Sequence, residues 1–181
     1  MNAALVGAAG VYFVAARLSA SDLQCALTLG NAPKVDILVS NLTGSASVSL
    51  QVKTAVDALR WKGQGNEKKR DHYEWSIGWK CVDLCRPAAP NLLFALVDLK
   101  GFGERPDVVP DVFIVPSQVI ADYFLGPNRS MYRGVWKGKT RPHRDQWKWA
   151  RYHELVEEVD QYKNNWVALR ERLAELERGA G

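Results

Sequence analysis

The chain has 181 residues, 47% of them apolar and 24% charged, which are the proportions of an ordinary globular protein. This excludes a disordered tail, a collagen-like repeat and a polytopic membrane protein, and three cysteines exclude a disulfide scaffold. The formal net charge of +4 is unevenly spread. Residues 1–53 carry +1, residues 54–128 carry −1, residues 129–153 carry +7 and residues 154–181 carry −3. One basic block therefore holds the excess, as on a phosphate-binding surface, although a solvated basic face gives the same count.

The chain opens on an apolar run, Met1 to Ala16, with no Lys or Arg before it. It is too short to span a bilayer and lacks the basic start of a secretory signal, so a core helix is predicted. Leu5, Tyr12, Phe13, Ala16 and Leu18 are placed on its broad buried face, and Ser19 to Asp22 provides the stop. Without a signal the expected location is cytoplasmic, with reduced cysteines. Cys25, Cys81 and Cys85 have no second Cys/His pair at zinc spacing and read as ordinary thiols.

Three short strands follow. Gln24 to Leu29 ends at the turn Gly30-Asn31, and Lys34 to Ser40 alternates Val35, Ile37 and Val39 with Asp36 and Leu38. In Val48 to Lys53, the residues Val48, Leu50 and Val52 face one way, and Ser49, Gln51 and Lys53 the other. An antiparallel meander on a helix is the expected result. Residues 55–90 show only a basic loop with Arg60, Lys62, Lys68, Lys69 and Arg70, then aromatics at Tyr73, Trp75 and Trp79. Strands at Leu92 to Leu99 and Val112 to Val115 are clearer, and Ser117 is placed as the cap of a helix through Phe124.

The C-terminal segment spaces Leu155, Val159, Tyr162, Trp166, Leu169, Leu173 and Leu176 by alternating fours and threes. That spacing predicts one long helix, either a dimerising coiled coil or a helix lying along its own domain. Tyr and Trp on the seam favour the second.

The polar residues with chemical potential are Asp36, Gln51 and Lys53. In a hairpin the polar faces of neighbouring strands meet, so all three are brought to one side. Asp36 is a natural hard ligand for Mg²⁺, with the Gln51 side-chain oxygen and the Val52 backbone carbonyl as neutral oxygens. Lys53 is placed to position or activate a water and to balance charge on a phosphorane-like transition state. A plain cross-strand ion pair between Asp36 and Lys53 is the competing reading.

Gly10-Val11-Tyr12-Phe13-Val14-Ala15-Ala16-Arg17-Leu18, Thr28 through Asp36, and Ser49-Leu50-Gln51-Val52-Lys53-Thr54 resemble the PD-(D/E)XK, restriction-endonuclease-like superfamily. The similarity is to a branch of small uncharacterised bacterial proteins with a D…QxK motif. It continues through Phe94 to Leu99, Pro110 to Ser117 and Tyr162-Lys163-Asn164-Asn165-Trp166. The resemblance implies an α/β fold with an αβββαβ core, a mixed sheet and a long C-terminal helix. It further implies Mg²⁺- or Mn²⁺-dependent phosphodiester cleavage, with Asp36 as the strand aspartate and Lys53 as the active-site lysine. Gln51 stands where many members have Glu, although the resemblance includes Mrr-like restriction enzymes, which also carry a QxK there. Relatives often carry a first-helix Glu where this chain has Val11 or Arg17. If no second carboxylate joins Asp36, the metal is weakly held.

The expected organisation is a nuclease-like core over 1–128, a basic Trp-rich connector over 129–153 and an amphipathic helix over 154–181. Nucleic acid, DNA rather than RNA, is the expected partner, with a homodimer or a partner protein through the last helix. Contacts are placed at Lys68, Lys69, Arg70, Arg133, Lys137, Lys139, Arg141, Arg144 and Lys148. Trp136, Trp147 and Trp149 are read either as base-stacking or as packing residues. The expected function is a nuclease in restriction, repair or phage defence. The alternative is a catalytically degenerate module that binds nucleic acid or protein.

Overall fold

Strand β6 shows how the molecule is built, because every residue from Leu92 to Asp98 is buried. A run without polar alternation demands cover on both faces, as in the interior of a mixed sheet. A computed structural model describes residues 2–28, 35–62, 66, 69–78, 81, 82, 85, 89, 91–105, 107–125, 135, 136, 139, 140 and 151–179. In chain order these form α1 (Ala3–Ser19), β1 (Gln24–Leu27), β2 (Ile37–Ser40), β3 (Ser47–Ala55), β4 (Leu59–Lys62), β5 (Lys69–Ser76) and β6 (Leu92–Asp98). Then come β7 (Asp111–Pro116), α2 (Ser117–Leu125), β8 (Val135–Trp136), β9 (Lys139–Thr140), β10 (Arg151–Leu155), α3 (Val156–Val159) and α4 (Trp166–Gly179).

Five strands make the main sheet in the order β1-β2-β3-β6-β7. The β1-β2-β3 meander is antiparallel, β3 and β6 run parallel, and β6-β7 is antiparallel again. A parallel pair needs a long crossover. Here the crossover contains β4 and β5, which join β10 in a second sheet ordered β10-β5-β4. The fold is thus α/β with a mixed sheet and a C-terminal helix, as expected from the sequence.

Each face of the main sheet has its own apolar layer. On the first face Val48, Leu50 and Val52 of β3 meet Val14 and Leu18 of α1 and Leu169 and Leu173 of α4. On the second, Phe94 and Leu96 of β6 meet Tyr73 and Trp75 of β5, Tyr152 of β10 and Phe124 of α2. Trp75 donates its indole N–H to the Val97 carbonyl at 3.0 Å, which pins the second sheet to the first. The Ser117 hydroxyl at the start of α2 donates to the Ala89 carbonyl at 2.8 Å.

Two sequence expectations are corrected. Helix α1 buries Val6, Gly10, Val14 and Leu18, whereas Leu5 and Tyr12 are 67% and 65% exposed. The helix is apolar nearly all round, so hydrophobicity does not choose its inward side. Gly10 does: a Cβ there would lie 1.9 Å from Thr54 Oγ1, so only glycine lets the helix come this close to β3. The C-terminal heptad spacing also does not form one helix. Leu155 ends β10, Val159 lies in α3, residues 160–162 make a 3₁₀ turn, and Asn164 adopts a left-handed φ of 50° before α4 begins. Leu169 and Leu173 lie against the chain's own sheet.

Candidate active site

Asp36 lies immediately before β2, opposite Gln51, because Ile37 pairs with Leu50. Its backbone N–H donates to the Leu50 carbonyl at 2.8 Å and its carbonyl accepts from the Thr28 N–H at 3.1 Å, so the residue is fixed from both sides. The Asp36 carboxylate oxygen Oδ2 accepts from Gln51 Nε2 and, at 2.7 Å, from the Val52 N–H. A carboxylate only accepts, so the Gln51 amide must present its NH₂ to Asp36 and turn Oε1 away. Gln51 is 6% exposed.

Gln51 and Lys53 pair with Phe94 and Leu96 across the parallel β3–β6 ladder, and paired residues project to one face. Both side chains therefore emerge on the second face of the sheet. Lys53 is half-buried. Among the described residues it forms no ion pair, so the cross-strand pair with Asp36 is not made. The hairpin brings Asp36 and Gln51 into direct contact and leaves the neighbouring lysine uncommitted.

This arrangement offers a metal the second carboxylate oxygen of Asp36, which has no hydrogen-bond partner among the described residues, Gln51 Oε1, and the Val52 carbonyl beyond the last β2–β3 pair. No group of three or more His, Cys, Asp or Glu suited to a metal occurs among the described residues. The set fits Mg²⁺, which commonly takes one or two carboxylates and completes its shell with water and substrate oxygens. Neither first-helix position supplies an acid: Val11 packs against the apolar layer and Arg17 stacks over Trp166 at 5.8 Å.

A second polar cluster lies at the far end of the same face, and the sequence reading missed it. Asp98 and Asp111 are cross-strand partners on β6 and β7. Asp98 is 2% exposed and its Oδ1 accepts from the N–H groups of Ala58 and Lys100 at 2.9 and 3.1 Å. Burial pushes its proton affinity above the usual carboxylate range, against the opposing pull of those two N–H donors. Asp111 Oδ2 receives Lys100 Nζ at 3.2 Å and Lys163 Nζ at 3.1 Å, and Oδ1 receives the Asn164 amide at 3.4 Å. Burial draws the Lys163 pKa down, but the hydrogen bond and charge of Asp111 outweigh it and hold the pKa above its ordinary value. The available signal was modest: charged residues closing two apolar runs, Asp98-Leu99-Lys100 and Pro110-Asp111.

Of the expected nucleic-acid contacts, Lys69 and Arg70 are exposed at the start of β5. Arg70 is paired with Asp57 and donates to the Leu59 carbonyl at 3.2 Å. Lys139 belongs to the short strand β9. Lys68, Arg133, Lys137, Arg141, Arg144 and Lys148 lie outside the described residues. The basic block nevertheless ends inside the fold, since Arg151 opens β10 opposite Ser76 of β5.

With this geometry in place, the chain can be compared with known proteins. Its backbone superposes on the bacterial homing endonuclease I-Ssp6803I with a TM-score of 0.54 over 98% of each chain, at 10% sequence identity. The chain has a nuclease-like fold. No family model matches the sequence, and no curated protein matches it. No helix among the described residues is long and apolar enough to cross a membrane.

Proposed function

We propose that the protein is a metal-dependent nuclease of the PD-(D/E)XK type, acting through Asp36, Gln51 and Lys53. The observation that carries this reading is the β2–β3 hairpin, which joins a fixed carboxylate to an uncommitted lysine on a nuclease-like fold. Mg²⁺ or Mn²⁺, held by Asp36, Gln51 Oε1 and the Val52 carbonyl, would supply Lewis-acid stabilisation of the phosphoryl oxygens.

The chain's own residues do the remainder. Asp36 is held in one orientation by the Val52 N–H and the Gln51 amide, so the site is built before substrate arrives. Lys53 projects to the same side and stabilises negative charge as it gathers on the phosphate, or orients the attacking water. The nucleic acid is drawn in by the basic side chains of the 129–153 block, with Lys69 and Arg70 as further contacts.

A nicking assay with Mg²⁺ or Mn²⁺ on single- and double-stranded DNA and RNA tests the reading. Asp36→Ala and Lys53→Ala are each expected to lower the cleavage rate about 10²-fold or more, with nucleic-acid affinity retained. Salt-sensitive binding without metal-dependent cleavage in the unmodified chain would replace this reading with that of a binding module.

A further inference from the structure

Beyond Lys53, on the same face of the sheet, lies a cleft of about 540 Å³. Asp57, Arg70, Asp98, Lys100, Arg105 and Asp111 provide its charged lining. The register fixes its place relative to Asp36 and Lys53. Ala55 of β3 pairs with Asp98, so the cleft begins two residues past Lys53 and one strand across. That is roughly 7 Å along the strand and about 5 Å sideways.

The charges around it are unequally committed. Arg70 is matched by Asp57. Asp111 is shared by Lys100 and by Lys163, which reaches it from the segment docked on β7. Asp98 spends Oδ1 on two backbone N–H groups deep in the wall. Arg105 donates to the Lys100 carbonyl at 2.8 Å and has no carboxylate partner among the described residues. The lining thus balances three cations against three carboxylates, Lys163 adds positive charge from outside it, and among the described residues Arg105 is the lining cation with no carboxylate partner.

The backbone that presents them is held in an uncommon shape. Lys100 and Gly101 both have left-handed φ values, 51° and 75°, and only the second is a glycine. A lysine in that region costs conformational energy and persists because its surroundings fix it. Those surroundings are visible: Gly101 N–H donates to the Val56 carbonyl at 3.0 Å, and Lys100 N–H donates to Asp98. The Arg105 N–H returns to the Gly101 carbonyl at 2.9 Å.

We infer that this cleft is a second phosphate site, in which Lys100 and Arg105 hold a backbone phosphate flanking the one at Asp36 and Lys53. The inference rests on the nuclease reading and deepens it. A nucleic-acid strand, which carries one phosphate per about 3.4 Å of helix rise, spans the separation within a few nucleotides. Asp111 repels little, because two ammonium groups neutralise it, and it holds Lys100 over the cleft.

The test is binding of single- and double-stranded DNA oligonucleotides to the full chain, with chelator present so that nothing is cut. Affinity is followed across a salt series for the unmodified chain, Arg105→Gln, Lys100→Gln and the double variant. Each single change is expected to weaken binding about 3- to 10-fold at moderate salt. Each should also reduce the slope of log affinity against log salt by about 0.9 for duplex. Arg105 is exposed, so its variant should melt within a few degrees of the parent and serves as the control for folding. Unchanged slopes in all variants, with the unmodified chain still binding, overturn this inference and leave the nuclease reading intact. Competition by inorganic phosphate alone, with oligonucleotide slopes unaffected, likewise overturns it and marks a free-anion site. If the unmodified chain shows no salt-sensitive binding, both readings fall together.

Discussion

Two hairpins on one sheet carry similar residues and use them differently. At β2–β3 an aspartate faces an amide across the strands, and a lysine two residues along forms no ion pair among the described residues. At β6–β7 two aspartates face each other, and two lysines and an asparagine close around Asp111. The second cluster satisfies its central carboxylate internally and ties the C-terminal segment to the sheet. The first keeps charge that has no ion-pair partner among the described residues at a half-buried position, which is what the proposed phosphate and metal chemistry requires. Composition alone does not separate a structural charge cluster from a reactive one. The separation comes from which charges already have partners.

The comparison can be broken most directly at Asp111. Asp111→Ala strips both lysines of their shared acceptor and is expected to destabilise the fold by about 2–3 kcal/mol. Urea unfolding with an unchanged m-value measures this; a change below about 0.5 kcal/mol would show that the cluster contributes little. At the other hairpin, Gln51→Glu replaces the donor facing Asp36 by a second carboxylate. Without divalent metal the variant should be less stable at neutral pH by about 1 kcal/mol. Mg²⁺ should raise its melting temperature more than that of the parent. Equal Mg²⁺ responses would place the metal elsewhere.

The smallest effect concerns Asp98. A carboxyl whose folded pKa is raised binds its proton more tightly in the native state than in the unfolded one. Stability is then greatest below the unfolded value near 3.9 and declines as pH rises toward the raised folded value. Asp98→Asn keeps an oxygen for the Ala58 and Lys100 N–H groups and removes the titration. It should flatten the stability profile above about pH 4, with the gain in stability largest at the upper end of the titration. Parallel profiles for the two chains would remove burial of this charge as a cause.

These contrasts also explain what could be read beforehand. Val48, Leu50 and Val52 alternate with Ser49, Gln51 and Lys53, so β3 and its polar face are explicit in the sequence. Asp36 and Gln51 are then brought opposite each other by a hairpin register that the alternation dictates. The buried face of α1 is not legible, because its choice depends on the fit between Gly10 and Thr54, which are distant in sequence. The second sheet is equally hidden. In β5 only Tyr73 and Trp75 are buried behind a charged first half, and β10 reaches the core through Tyr152 amid charged neighbours. The cleft at Asp98 joins residues from the β3–β4 connection, β4, β5, β6, the β6–β7 connection and β7, and no local window contains them.

The left-handed Asn164 has a further consequence for how the molecule behaves in company. Its N–H donates to the Val112 carbonyl at 2.6 Å, its side-chain oxygen accepts from the Val112 N–H at 3.2 Å, and Lys163 bridges to Phe113. These contacts occupy hydrogen-bonding groups on the outer rim of β7, an almost wholly apolar strand that would otherwise be a template for another chain. The opposite rim is β1, only four residues long. A short Lys-Asn segment thus acts as a guard against edge-to-edge aggregation, keeping a strongly hydrophobic sheet from growing beyond its own five strands.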